Sequence, residues 1–182
     1  DIDVLTDDSI LDTTHHPERL VIIGAGRAGV TLAQAQRRLG AEVTLIDRGP
    51  ALRREDPEIA AFALAALRRE GITIHEHATV KRVEATRDAL SVEITTEGDG
   101  EIVIGASHVC AAVGRRPTFG TLDLQSAGIA TTEAGIALRR GHATSNRRVY
   151  ALGLASGEGT DSHFAAHLAK DEARRIVRGI LF

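Results

Sequence analysis

Residues 19–33 read Arg-Leu-Val-Ile-Ile-Gly-Ala-Gly-Arg-Ala-Gly-Val-Thr-Leu-Ala, an apolar, largely β-branched run that enters glycines at 24, 26 and 29 and leaves with helical spacing. This order predicts a strand, a tight turn and a helix. Gly24 is expected to make the turn, Gly26 to let the backbone approach a ligand with no Cβ in the way, and Gly29 to let helix and strand pack closely. Arg27 and Ala28 complete the turn, and the unpaired N–H groups that open the helix would face a diphosphate. Arg27 would sit over that diphosphate or stay solvated, and both readings stay open. A second apolar run, Glu42 to Ile46, ends at Asp47, about twenty residues beyond the glycines, where a carboxylate can accept both hydroxyls of an adenosine ribose. Element order, glycine spacing and acid agree on a dinucleotide.

The alternation continues. The first helix is expected to bury Val30, Leu32, Ala33, Ala35 and Leu39 and to stop at Gly40. After the loop from Arg48 to Glu55, Asp56 is a natural N-cap and Pro57 a natural first residue for a helix carrying Ile59, Phe62, Ala63, Ala66 and Leu67. Arg68 and Arg69 suit its last turn, and Ile72 and Ile74 alternate with polar neighbours as a third strand. Such a β-α-β-α-β series implies right-handed crossovers and a parallel sheet. The rhythm then changes to short alternating runs, Val80–Val83, Leu90–Ile94 and Ile102–Ile104, around turns at Asp88 and Glu97–Gly100. We expect an antiparallel meander there, a buried strand at His108–Val113, a second short meander through Gly135–Leu138, a strand at Val149–Leu152 and a helix from about Ser162. That helix would place Phe164, Leu168, Ala173, Ile176, Val177 and Ile180 on one stripe. The fold class expected is α/β, a Rossmann-like parallel sheet with helices and an inserted antiparallel β-meander. Residues 1–17 read as a polar, extended lead-in.

Composition narrows the function. A chain of 182 residues holds one domain with a full core, or one domain plus an appendage, and not two large domains. Its net charge of −3 supplies no field for nucleic acid or anionic membrane, and no apolar run approaches the roughly 20 residues of a membrane span. Aromatic residues make up 3% with no Trp, which argues against stacking on sugars or single-stranded nucleic acid. Cys110 is the single cysteine, so neither a disulfide scaffold nor a two-cysteine redox centre lies within the chain. With no Met and Asp1 in first place, we expect a piece of a longer protein, and with no targeting segment visible we expect a cytoplasmic one. His163 and His167 have the spacing of a metal pair, but no third ligand is evident and no metal is expected. Ser156, Thr160 and Ser162 have no His-acid arrangement to activate them.

Asp47 favours NAD, because a carboxylate placed for two ribose hydroxyls repels a 2′-phosphate at close range. Arg48, Arg53 and Arg54 could pair with that phosphate, which keeps NADP open.

The segments Gly24-Ala-Gly-Arg-Ala-Gly29, Leu39-Gly-Ala-Glu-Val-Thr-Leu-Ile-Asp47, Arg54-Glu-Asp-Pro57, Leu67-Arg-Arg-Glu-Gly71, Val113-Gly-Arg-Arg-Pro117 and Thr144-Ser-Asn-Arg-Arg-Val-Tyr-Ala-Leu-Gly153 together resemble the pyridine-nucleotide-disulfide oxidoreductase family. They lean toward its dihydrolipoamide dehydrogenase and mercuric reductase branch. The resemblance implies an NAD(P)-binding domain at 18–145 and the second segment of an FAD-binding domain at 146–182. It places the first FAD segment, a redox cysteine pair and an interface domain elsewhere in a homodimeric parent. It implies an FAD-dependent oxidoreductase in which the nicotinamide passes hydride to flavin, with this piece inactive alone. Val80, Val113 and Gly114 would line the dinucleotide cleft. Two positions depart from the family pattern. Thr31 stands where the family places a Glu that pairs with a lysine beside the flavin, which leaves the catalytic residue unknown. Leu154 stands where it places an FAD-binding Asp, and a Leu side chain accepts no hydrogen bond. These departures support an alternative, a non-catalytic NAD(H)-sensing domain.

Overall fold

A computed structural model describes residues 2–85, 87, 89–98, 100–156 and 166–182, without the side chain of Ala166. The chain forms two compact units, Asp1–Gly114 and Arg115–Phe182. In chain order the first holds β1 (Leu5–Thr6), β2 (Arg19–Ile23), α1 (Arg27–Arg38), β3 (Glu42–Ile46), α2 (Pro57–Arg69), β4 (Thr73–His75), β5 (Ala78–Ala85), β6 (Leu90–Thr96), β7 (Gly100–Ala106) and β8 (His108–Ala111). The second holds α3 (Ala166–Leu181).

Five strands make a parallel sheet in the order β1-β8-β2-β3-β4, and β5-β6-β7 make a separate antiparallel sheet. The uninterrupted apolar run of β2 follows from burial on both sides. Leu20 and Ile22 join a core with Leu32 and Ala33 of α1 and Leu64 and Leu67 of α2. Val21 faces the other way, into a core with Val92, Ile94 and Ala106 of the antiparallel sheet. Neighbouring strands alternate in step, with Leu45 and Cys110 on the helical side and Ile46 and Val109 on the other. The meander therefore covers the sheet face that the helices leave open. Each fully buried Leu, Ile or Val contributes about 1.5–3 kcal/mol over leaving it in water. A register shift between Val80 and Arg82 bends β5.

The expected lead-in is more than a tail, because Leu5 and Thr6 pair with Cys110 and Ala111 and so make β1 the sheet's edge strand. Burial of Leu5, Ile10 and Pro17 holds it there. Both helices keep part of the expected stripe inward, with Leu32 and Ala33 of α1 and Leu67 of α2 buried, and expose the rest. In α1 the buried residues are Gly29, Leu32, Ala33 and Gln36, while Leu39 is exposed. In α2 they are Ala60, Leu64 and Leu67, while Ile59 and Phe62 are 68% and 75% exposed. The α2 sequence is apolar nearly all round, so periodicity alone does not select a face. The Asp56 side chain caps α2 as expected, accepting from the N–H groups of Glu58 at 2.9 Å and Ile59 at 3.3 Å.

In the second unit the expected second meander and final strand reduce, among the described residues, to single bridges between Thr131 and Ile136 and between Ala143 and Tyr150. A small core of Ile129, Ile136 and Ala151 forms around them. Among the described residues of the expected α3 stripe Ile176 is buried, and Val177 and Ile180 are exposed. Asp88, Ser162, His163 and Phe164 lie outside the described residues.

Candidate functional site

The three glycines serve three different ends. Gly24 has φ +107°, and a Cβ there would overlap the Ala112 carbonyl at the end of β8. A Cβ on Gly29 would overlap the Gly24 carbonyl, so α1 starts in direct contact with the turn. Gly26 is unlike either. Its backbone, at φ −76° and ψ −176°, suits any residue, and a Cβ built on it meets nothing within 4 Å among the described residues. Neither conformation nor protein packing calls for glycine at 26. Gly26 is also the N-cap of α1 and offers no side chain to the first N–H groups, and Arg27, Ala28 and Thr31 around it are exposed. The start of α1 is thus an open, glycine-floored cradle whose amides suit an anion.

Asp47 closes the other side. Its Oδ2 accepts the Ala25 N–H at 2.7 Å, and its Oδ1 accepts the Gly49 N–H at 2.9 Å. Those bonds leave acceptor capacity on both oxygens. Backbone bonds tie the acid to its surroundings: the Gly24 N–H donates to the Ile46 carbonyl at 2.7 Å, and the Ala78 N–H to the Asp47 carbonyl at 2.9 Å. The loop after β3 folds over the same turn, with the Leu52 N–H donating to the Ala25 carbonyl at 2.9 Å and Leu52 held at φ 54°. Glu76 anchors that loop from beneath, accepting the Ala51 N–H at 2.9 Å and pairing with Arg68 at 2.7 Å.

Arg27 reaches across to Glu55 in a bidentate ion pair, Nε–Oε1 at 2.6 Å and Nη2–Oε2 at 2.8 Å. Hydrogen bonds from Arg27 hold the Glu55 carboxyl below its ordinary range. Local sequence pattern has no signal for this pair, because 28 positions separate the partners. Arg48 and Arg53 are exposed, and the Arg53 guanidinium lies 3.7 Å from where a Gly49 Cβ would be. Val113 and Gly114 continue β8 past the Gly24 turn, both exposed, with the Val113 nitrogen 3.2 Å from the space beside Gly24. Val80 lies two residues beyond Ala78 on β5 and packs with the core of the antiparallel sheet. Gly24, Gly26, Gly29, Asp47, Val113 and Gly114 thus converge on one rim of the parallel sheet, with the loop carrying Arg48 and Arg53 beside it. The sheet reverses its winding there, between β2 and β8, which is where open α/β sheets hold ligands.

In the second unit, Leu154 sits in a short turn after Gly153 and carries no acceptor, and the Gly153 N–H already donates to Glu172 Oε2 at 2.8 Å. The described residues at this position do not fit a ribityl hydroxyl.

A family model described as pyridine nucleotide-disulphide oxidoreductase matches residues 1–168. Mercuric reductase of Staphylococcus aureus is 37% identical over 155 residues, 84% of this chain and 28% of that protein. Mercuric reductase of Bacillus cereus is 35% identical over 182 residues, 99% of this chain and 29% of that protein. The solved structure of the HOCl-induced flavoprotein disulfide reductase RclA from Escherichia coli superposes with a TM-score of 0.84 at 27% identity, covering 98% of this chain and 39% of that one. The chain therefore spans under a third of the length of these mercuric reductases.

Proposed function

This chain belongs to the pyridine nucleotide-disulphide oxidoreductase family, and from that premise we propose that its first unit binds the nicotinamide dinucleotide of a longer, flavin-dependent oxidoreductase. The observation that carries the reading is the open cradle at Gly26. A glycine that neither backbone geometry nor packing requires is explained by a ligand that approaches the backbone there. Amides opening α1 would hold the diphosphate, Asp47 the adenosine ribose, and Val113 and Gly114 would border the nicotinamide end. The Asp47 carboxylate favours NAD over NADP. The Arg27–Glu55 pair neutralises both side chains and leaves the backbone amides as the main anion donors. A bound dinucleotide supplies hydride chemistry; this chain's residues hold it and fix its orientation. The electron acceptor, the interface domain and any homodimer belong to the longer protein.

A second reading is a nucleotide-sensing domain that shifts a binding equilibrium without catalysis. Exposed Thr31 and acceptor-free Leu154 favour it. Titrating the 182-residue chain with NADH and with NADPH, followed by nicotinamide fluorescence and calorimetry, tests the shared premise. Saturable binding with NADH preferred supports it, and no binding of either rejects it. The longer protein separates the two readings: bound flavin with NADH oxidation supports the enzyme, and a colourless, inactive protein the sensor.

A further inference from the structure

The second unit carries an open cleft of about 500 Å³ between the loop from Leu138 and the later turns of α3, and Arg139, Arg140, His142 and Arg175 line it. Among the described residues none of these three guanidinium groups has an ionic or hydrogen-bonding partner. The nearest acids on α3 are engaged elsewhere: Asp171 pairs with Arg174 at 2.9 Å, and Glu172 accepts the Gly153 N–H at 2.8 Å. His142 lines the same cleft, and its Nδ1 is shielded from solvent with no hydrogen-bond partner among the described residues. Its backbone is held in the left-handed region, φ 62° after Gly141 at φ 76°. Two flanking bonds keep it there, Ala151 N–H to the His142 carbonyl at 3.1 Å and Arg139 N–H to the Ala143 carbonyl at 2.7 Å. A non-glycine residue in that region is strained. The second unit carries ten Lys and Arg against six Asp and Glu, in a chain whose net charge is −3.

Cations that line one cleft repel one another, and a bound anion offsets the repulsion. Arginines present forked donors matched to phosphate oxygens, and the cleft's volume lies in the range of small-molecule sites. We propose that this cleft is a second ligand site, separate from the glycine turn, that takes a small molecule bearing a phosphate or diphosphate. Arg139, Arg140 and Arg175 pair with its oxygens, and His142 stands in the same wall.

Inorganic pyrophosphate, titrated calorimetrically into the full chain, is the probe. Because α1 also offers amides to an anion, the titration is repeated on Gly26→Ala. The expected result is saturable binding that Gly26→Ala leaves intact and that Arg140→Gln and Arg175→Gln each weaken at least tenfold. Both arginines are exposed, so circular dichroism of these variants should match the parent chain. The His142 imidazole resonances should also move on addition. Absence of binding, binding that survives both arginine substitutions, or binding lost in Gly26→Ala each overturns the proposal.

Discussion

The carbonyl oxygen of Gly24 occupies the space in which a side chain on Gly29 would begin, so the first turn of α1 sits directly against the end of β2. Gly26, between them, has nothing within 4 Å of where its Cβ would be among the described residues. The two outer glycines are structural and the middle one is permissive. Gly29→Ala should therefore lower stability by about 1–3 kcal/mol or more, since the clash is with backbone. Gly26→Ala should melt like the parent chain yet bind NADH at least tenfold more weakly, about 1.4 kcal/mol. Thermal melts and NADH titrations on both variants check the contrast, and equal melting losses would refute it.

Asp47 has a double role. Ala25 is fully buried, and Asp47 Oδ2 accepts its N–H. Removing the acceptor strands a buried donor at a cost of about 1–3 kcal/mol. Asp47→Ala should show that loss in a denaturant titration, together with weaker NADH binding and a smaller preference for NADH over NADPH.

The Arg27–Glu55 pair predicts an acid limb. Hydrogen bonds from Arg27 lower the Glu55 carboxyl from 4.5, so the pair's contribution is present above that value and is lost as pH falls through the lowered one. The contribution is modest, because Arg27 is largely solvated. Glu55→Gln should melt slightly below the parent near neutral pH, and the gap should close on acidification. A gap independent of pH would contradict the assignment.

Burial, with a smaller contribution from Asp7, pushes the Cys110 thiol up from 9.0 to about 11. A raised value means the neutral thiol is favoured in the folded chain. Its contribution is complete below pH 9.0 and drains away as pH rises toward about 11. Cys110 should resist a thiol reagent in the native protein and react promptly in denaturant. In Cys110→Ala the alkaline loss of stability should be shallower.

Much of the first unit is legible in its residues, because a strong period accompanied a strong punctuator. Asp56 and Pro57 mark a helix start that the Asp56 side chain then caps, and the alternation from Val80 to Ile104 matches the antiparallel ladder. Legibility fails where a single signal has two solutions. The α2 sequence is apolar around most of its circumference, and only the sheet beneath it decides that Leu64 is buried and Phe62 exposed. The two-residue strand β1 is too short for periodicity to register. Between Arg115 and Ser156 the apolar residues bury in an irregular core around single bridges, and their alternation imitates strands that do not form among the described residues. At the site, glycines and acid declare themselves locally. Glu55 and Glu76 do not, since each acts on a partner distant in sequence.

Ala25 has its amide engaged by Asp47 and its carbonyl by Leu52. The geometry of the crevice is thus inherited from the sheet and the loop after β3, and a guest does not have to mould it. Association should then carry little ordering entropy, and apo and liganded forms should share one backbone. Discrimination between sugars would follow from stiffness: a carboxylate fastened at both oxygens has no room to retreat from an added 2′ substituent.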